Sequence, residues 1–358
     1  MNLMITEFCG LGNSVLLSNI FFITSNKNII LIGNDKYGGL SIHRDNSYLK
    51  KIINIKKNNL YSIIRNIKIQ DCIIIPFTSN PPIFFLIALI VFSKEKIITS
   101  KKFIKDMNFF KLKIIKLILV IKKMINKNFD IKEIDYLDDE NEREINKKFI
   151  EGLNLKDEQL NVEFKFIYNE NSDILTNHEL EKNKYFVIQP YANNGNKSAK
   201  IWPESMFVSL IQLLKKNFSS YKIVLVGDKN DLKNSKNKFS YNQVVNLIGK
   251  TDLDDLISLL KHSKYNICHD SSVLHISDIL NKENISIFGP TNFKKNKPYS
   301  TKSKTLYKNY FCSPCVGWSE NYRRNIDEVE ALQICKYNHK CMKDINPEDI
   351  LNIIFEIN

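Results

Sequence analysis

The segment His269-Asp270-Ser271-Ser272-Val273-Leu274-His275 brings a carboxylate, two hydroxyls and two imidazoles into seven residues. It follows a short apolar run, Tyr265–Cys268, and opens a helical pattern. Backbone N–H groups at such a helix start can receive a phosphate. Ser271 and Ser272 add hydroxyl donors, Asp270 can accept from sugar hydroxyls, and His275 sits one turn into the helix. The same residues also read as an ordinary capped helix with a core histidine. Three further loops carry polar groups of the same kind. Lys200 stands just before Trp202-Pro203, where an ammonium reaches a diphosphate as a point charge. Asn246-Leu247-Ile248-Gly249-Lys250-Thr251 ends a strand with a glycine that lets a base or ribose approach closely. Ile287-Phe288-Gly289-Pro290-Thr291 ends another in a tight turn. All four lie at strand-to-loop junctions, and together they say more than any one of them.

A second constellation is Cys312-x2-Cys315-x19-Cys335-x5-Cys341. Its spacing approaches a zinc ribbon, with a wider closing pair. Four thiolates suit zinc by default and iron as the alternative. The other reading is small hydrophobes or free thiols packed in place. Cys9, Cys72 and Cys268 read as buried singletons.

These loops need a scaffold, and the second half of the chain supplies a legible one. Tyr185–Gln189 predicts a strand, and Pro203 starts a helix where its missing N–H costs nothing. Tyr221–Val226 predicts a strand closed by Gly227, and Asp252 caps a helix through Leu260. Tyr265–Cys268, Ser272–Leu280 and Asn284–Phe288 continue as strand, helix and strand. This alternation predicts a Rossmann-like domain, whose ligands sit at the carboxyl ends of its strands.

The first half is less regular. Leu3–Thr6, Ile29–Ile32 and Cys72–Ile75 predict buried strands. The turn Cys9-Gly10-Leu11-Gly12-Asn13 leads into a helix from Ser14 to Ile23. An acidic stretch runs from about Asp130, and the interdomain connection is expected near Asn177 to Lys184. That gives domains of 1–183 and 184–358, the second carrying the cysteine-rich segment 312–341 and a final helix. A length of 358 residues fits two cores better than one.

Apolar residues make up 43% and charged residues 25%, which excludes a disordered chain. The net charge of +13 favours anionic partners. No aromatic-basic motif accompanies it, so nucleic acid is not expected. Met1–Ile23 lacks a basic leader, and the most apolar run, Ile83–Phe92, is too short to cross a membrane. A soluble, cytoplasmic protein is the expectation, which argues against a disulfide framework. Between Ser93 and Lys127 stand eleven lysines and two acids. This stretch reads either as a basic amphipathic helix on the inner face of an anionic membrane or as a core helix with a solvated lysine face. The second is the commoner arrangement and is the expectation.

The order Lys-x-Trp-Pro, Val-Leu-Val-Gly, Leu-x-Gly-Lys-Thr, Asp-Ser-x-x-x-His and Phe-Gly-Pro-Thr, over Tyr185 to Asp344, resembles glycosyltransferase family 9, the heptosyltransferase family. The resemblance implies an α/β GT-B fold of two facing Rossmann-like domains. It implies inverting, metal-independent sugar transfer from a nucleotide sugar, ADP-heptose above all, to a glycan, lipopolysaccharide-type or protein acceptor. Lys200 would then neutralise the diphosphate. Gly249, Lys250 and Thr251 would lie near the nucleoside, and Asp231 would reach the ribose. Asp270, Ser271, Ser272 and His275 would face phosphate and sugar, with Gly289, Pro290 and Thr291 completing the donor loops. The family has glycine at the position of Ser272. In the first half, Gly10-Leu11-Gly12-Asn13 matches a family Gly-Asp whose aspartate is the proposed base, so Asn13 is the catalytic candidate. An amide orients but does not take a proton. Glu7 and Asp35 are the substitute carboxylates. Two other functions stay open at this level: a nucleotide-sugar epimerase of the same architecture, and a family member that binds without turnover.

Overall fold

A computed structural model describes residues 2–9, 11–23, 28–35, 39–55, 70–76, 82–105, 107–154, 168, 172–192, 198–232, 239, 244–316 and 328–357. The chain forms two compact units, Met1–Tyr168 and Asn169–Asn358. The division falls before the expected connection at 177–184, and the reason is local. Ser172 donates its hydroxyl to Asp255, and Lys222 Nζ donates to the carbonyls of His178 and Glu179. Those bonds tie 172–183 to the second unit rather than leaving it as a linker.

The first unit contains β1 (Asn2–Glu7), α1 (Leu11–Ile23), β2 (Asn28–Gly33), β3 (Leu49–Asn54), β4 (Gln70–Ile75), α2 (Ile83–Phe92), β5 (Ser93–Ser100), α3 (Phe109–Ile125), β6 (Asp130–Ile134) and α4 (Glu142–Glu151). Its strands run parallel in the order β3-β2-β1-β4-β5-β6. Residues of β1 alternate between two cores. Leu3 and Ile5 pack with Leu17, Ile20 and Phe149 of α1 and α4. Met4 packs with Phe85, Leu89 and Ile115 of α2 and α3. A strand buried on both faces is apolar without a break, which is why β1 is readable from its sequence. The strands β3 and β6 are sheet edges carrying Lys50, Lys51, Asp130, Lys132 and Glu133, and charge on edges hides them from an apolar pattern.

The second unit contains β7 (Tyr185–Ile188), α5 (Glu204–Asn217), β8 (Lys222–Leu225), β9 (Val244–Asn246), α6 (Leu253–His262), β10 (Tyr265–His269), α7 (Ser272–Ile279), β11 (Asn284–Phe288), β12 (Ser303–Tyr307) and α8 (Pro347–Ile357). Its order is β12-β11-β10-β7-β8-β9, again all parallel. Phe186, Ile188, Ile223, Leu225 and Ile267 form one core face with Phe207, Leu210 and Ile211 of α5 and Ile350 and Ile354 of α8. On the other face Tyr185 donates its hydroxyl to the Leu259 carbonyl of α6 at 2.8 Å. Asp252 caps α6 reciprocally with Asp255. Both units therefore have the doubly wound order, which reverses between β1 and β4 in one and between β7 and β10 in the other.

The expectation for 109–125 fails. Within α3 only Ile115 is buried, while eight large apolar side chains of this helix are exposed. It is not a core helix with a solvated lysine face. Among the described residues no helix is long and apolar enough to cross a membrane.

Candidate functional site

Sheet reversal leaves a gap at the carboxyl ends of the two central strands, and the polar residues of the second unit gather there. After β7 comes Gln189; after β10 come Asp270 and Ser271. Ser271 stands at the N-cap of α7 but makes no cap bond with its side chain. Its hydroxyl instead donates to Gln189 Oε1 at 2.5 Å, across the reversal point. The ordinary capping reading of Ser271 is thereby excluded. With Ser271 committed to Gln189, the α7 N-terminus keeps its partial positive charge.

Lys200 Nζ donates to the Asp270 carbonyl at 3.4 Å, which sets its ammonium at this same edge. Asp270 is buried. Its Oδ2 accepts from Asn296 Nδ2 at 2.9 Å, and its Oδ1 lies 4.0 Å from His275 Nε2. The carboxylate is thus held from two sides, by Asn296 and by His275. His269 is fully buried and accepts the Trp202 backbone N–H at Nε2, 3.0 Å away. Burial and the Lys200 charge hold its pKa down to about 3, so the ring is neutral with its proton on Nδ1. Trp202 donates its indole N–H to the Ile345 carbonyl. These bonds lock the Lys200 loop onto the end of β10. Gln189 and Asn296 are not singled out by the sequence as site residues; only the fold brings them beside Ser271 and Asp270.

The remaining loops occupy the same carboxyl edge with different local reasons. Gly249 has φ +70° and donates its N–H to the Gly227 carbonyl at 3.0 Å. Its glycine is required by backbone conformation and by the neighbouring Lys229 and Asp228 backbone. Lys250 Nζ folds back onto the Asn246 carbonyl, and Thr251 is half-buried before the α6 cap. Asp231 is buried beneath Gly227 and accepts the Asp228 N–H at 3.0 Å. Burial pushes its pKa up to about 6, against that hydrogen bond. It builds the turn after β8. Ser272 is half-buried at the first position of α7.

Gly289 has a packing role. A Cβ there would sit 2.3 Å from Met342 Sδ and 3.2 Å from Cys341 Sγ. The Pro290 carbonyl accepts the N–H groups of Cys315 and Val316, each at 2.9 Å. Thr291 Oγ1 is buried with no hydrogen-bond partner among the described residues. The cysteine-rich segment therefore braces the β11 loop. Its four thiols share one neighbourhood: Cys341 is pushed up to about 12 by burial and by Cys315, Cys312 and Cys335. Cys335 Sγ also accepts the His339 N–H. Among the described residues, however, no three His, Cys, Asp or Glu side chains are placed around one point to hold a metal.

In the first unit α1 begins at Leu11, so Asn13 lies in its first turn, half-buried; Gly10 is outside the described residues. Ser14 donates to the Gly39 carbonyl at 2.7 Å, and His43 Nε2 lies 3.0 Å from both the Ser14 hydroxyl and carbonyl. Burial holds His43 down to about 3, so it is neutral. Asp35, after β2, accepts from the Ser41 N–H and hydroxyl. Glu7, at the end of β1, is fully buried. Its Oε1 accepts from the N–H and thiol of Cys9, both at 3.1 Å, while Oε2 has no partner among the described residues. Burial, with a smaller push from Asp35, raises its pKa to about 7. A buried carboxyl at a strand end, with no cation paired to it among the described residues, is a costly arrangement.

The model of glycosyltransferase family 9 (heptosyltransferase) matches residues 119–324. A lipooligosaccharide heptosyltransferase 2 of Campylobacter jejuni is 29% identical over 179 residues, 48% of this chain and 50% of that protein. The chain spans about half the length of the curated relatives it matches. Among solved structures, the ADP-heptose lipopolysaccharide heptosyltransferase II of E. coli superposes with a TM-score of 0.67 at 15% identity, covering 99% of this chain and 98% of that one. The dodecameric iron-containing heptosyltransferase TibC, solved with ADP-D-β-D-heptose, gives a TM-score of 0.54 at 8% identity, covering 99% and 76%. These likenesses establish the GT-B fold class expected from sequence. With more than half of its residues matched by the family model, the chain belongs to glycosyltransferase family 9, the heptosyltransferase family.

Proposed function

We propose that this protein transfers a sugar, heptose or a close relative, from a nucleotide-sugar donor to a lipopolysaccharide-type glycan acceptor, with inversion at the anomeric carbon. The observation that carries this reading is the cluster of Lys200, Asp270 and Ser271 at the β7–β10 reversal. TibC was solved in complex with ADP-D-β-D-heptose, and a nucleotide sugar of this kind has the parts these loops suit. The diphosphate meets the Lys200 ammonium and the α7 N-terminus, which together replace a divalent ion. Ser272 and Thr291 supply hydroxyls, and Asp270 accepts from the sugar. The base and ribose fall to the Asp231 and Gly249–Thr251 turns. The reaction is read as cytoplasmic, at the inner face of the membrane.

In the first unit Asn13 orients the acceptor hydroxyl, and Glu7 takes its proton. A pKa of about 7 suits a general base at neutral pH, and Oε2, which has no partner among the described residues, is the atom that receives the proton. Asn13→Ala should lower transfer while donor binding in calorimetry is unchanged. Loss of donor binding in that variant would remove Asn13 from the acceptor side.

Lys200→Ala should weaken ADP-heptose binding ten- to hundredfold without unfolding the unit, since a charged hydrogen bond contributes roughly 1.5–3 kcal/mol. Titration calorimetry of ADP-heptose reads this directly. Unchanged affinity would remove Lys200 from the donor site.

The thiols of Cys312, Cys315, Cys335 and Cys341 have the chemistry for one zinc or iron ion, which would have to draw them together, because as placed no three of them surround one point. A bound cation would favour the thiolate of Cys341, which burial and then the other three cysteines push up to about 12. Its part is to brace the Pro290 loop, with no share in the transfer step. Metal analysis of protein purified without a metal-binding tag should find one ion per chain. Metal-free protein of full stability would leave the thiols as packing groups.

A further inference from the structure

Helix α3 is apolar on two opposite faces. One face, with Ile115 buried and Ile118 and Leu119 partly so, packs into the first unit's core. The other points away from it. At helical spacing Phe110, Ile114, Leu117, Ile121 and Met124 form a single outward stripe. Phe110 is 77% exposed, Leu117 62% and Met124 75%. Phe109, Val120 and Ile125 widen the stripe, and Val91 of α2 is exposed close by, where Lys122 Nζ reaches its carbonyl. Lys111 and Lys122 flank the stripe on one side, Lys116 and Lys123 on the other, and Lys113 stands within it. The helix holds no acid.

We infer that this face of α3 lies in the surface of an anionic lipid bilayer, parallel to its plane. Scattered exposed apolar residues need no explanation, but a contiguous stripe the length of a helix does. Charge decides the occupant. A second copy docked on the same stripe would set lysine against lysine with no acid on either helix. Anionic headgroups meet the lysines on both flanks while the stripe enters the acyl boundary. The helix spans about 25 Å at 1.5 Å per residue, and no described helix is fit to cross a membrane. The arrangement therefore anchors a face rather than a span. The inference is drawn from α3 alone and does not rest on the transferase reading.

The test is flotation of the full chain with vesicles of phosphatidylethanolamine and phosphatidylglycerol, or of phosphatidylcholine alone. Binding should be stronger on the anionic vesicles by roughly tenfold or more and should weaken with salt. The double variant Leu117→Ser/Ile121→Ser should lose that binding with an unchanged circular-dichroism spectrum, since both side chains are exposed. A Leu117→Trp variant should add fluorescence that brominated lipids quench. Equal binding to both vesicle types would overturn the inference. So would full binding by the double variant, or an absence of quenching. Self-association that the double variant abolishes, without vesicle binding, would assign the face to a second copy and also overturn it.

Discussion

Glu7→Gln is expected to give a folded protein whose transfer rate falls by about 10²–10⁴, the usual contribution of a general base. The same substitution should flatten the pH dependence of stability. Glu7 has a folded-state pKa raised from 4.5 to about 7, chiefly by burial. The folded chain therefore binds this proton more tightly than the unfolded chain does. Its burial costs nothing extra below about pH 4.5. The cost grows as pH rises to about 7 and is constant above, where it reaches at most about 3 kcal/mol. Denaturant unfolding at pH 5 and pH 8 should show a loss in the parent that the glutamine variant lacks. The amide keeps the acceptor for Cys9 and carries no charge. A variant that resists high pH better yet transfers slowly separates a catalytic carboxyl from a structural one. A variant with the flattened stability profile and normal transfer would leave Glu7 as a buried group only, and the base would have to be sought elsewhere.

Asp270→Ala should cost more in turnover than in stability. The carboxylate is buried between Asn296 and His275, at the edge that also carries Lys200. Removing it leaves the Asn296 amide without one bond, about 1–3 kcal/mol of stability. If it holds sugar hydroxyls in the transition state, kcat/KM should fall about a hundredfold or more. Kinetics on the folded fraction decides this. A variant that melts well below the parent but works normally once folded would make Asp270 a purely structural residue.

The sequence makes the second unit readable because its four central strands, β7, β8, β10 and β11, are buried on both sides and its helices begin at Pro203 and Asp252, residues with definite local preferences. Lys200, Asp270 and Ser271 could be picked out because they stand at strand ends. Their mutual bonds could not, since Ser271 to Gln189 spans 82 residues and Asn296 to Asp270 spans 26. Gly249 and Gly289 were legible as glycines but not as to cause. One answers a left-handed backbone, the other the side chain of Met342. In the first unit the edge strands are short and charged, so the sheet was only half visible. For the lysine-rich helix, periodicity gives the faces and not which one meets the core. The structure decides it by packing Ile115, with Ile118 and Leu119 beside it, into the first unit's core.

Sugar transfer from a nucleotide-sugar donor is decided by incubating the protein with ADP-heptose, with and without an inner-core lipooligosaccharide acceptor, and following both by NMR. The donor alone should stay unchanged. With acceptor, a new glycoside of inverted anomeric configuration and one equivalent of ADP should form. Epimerised donor in the absence of acceptor, or donor that binds and is recovered unchanged with every heptose acceptor offered, would contradict it.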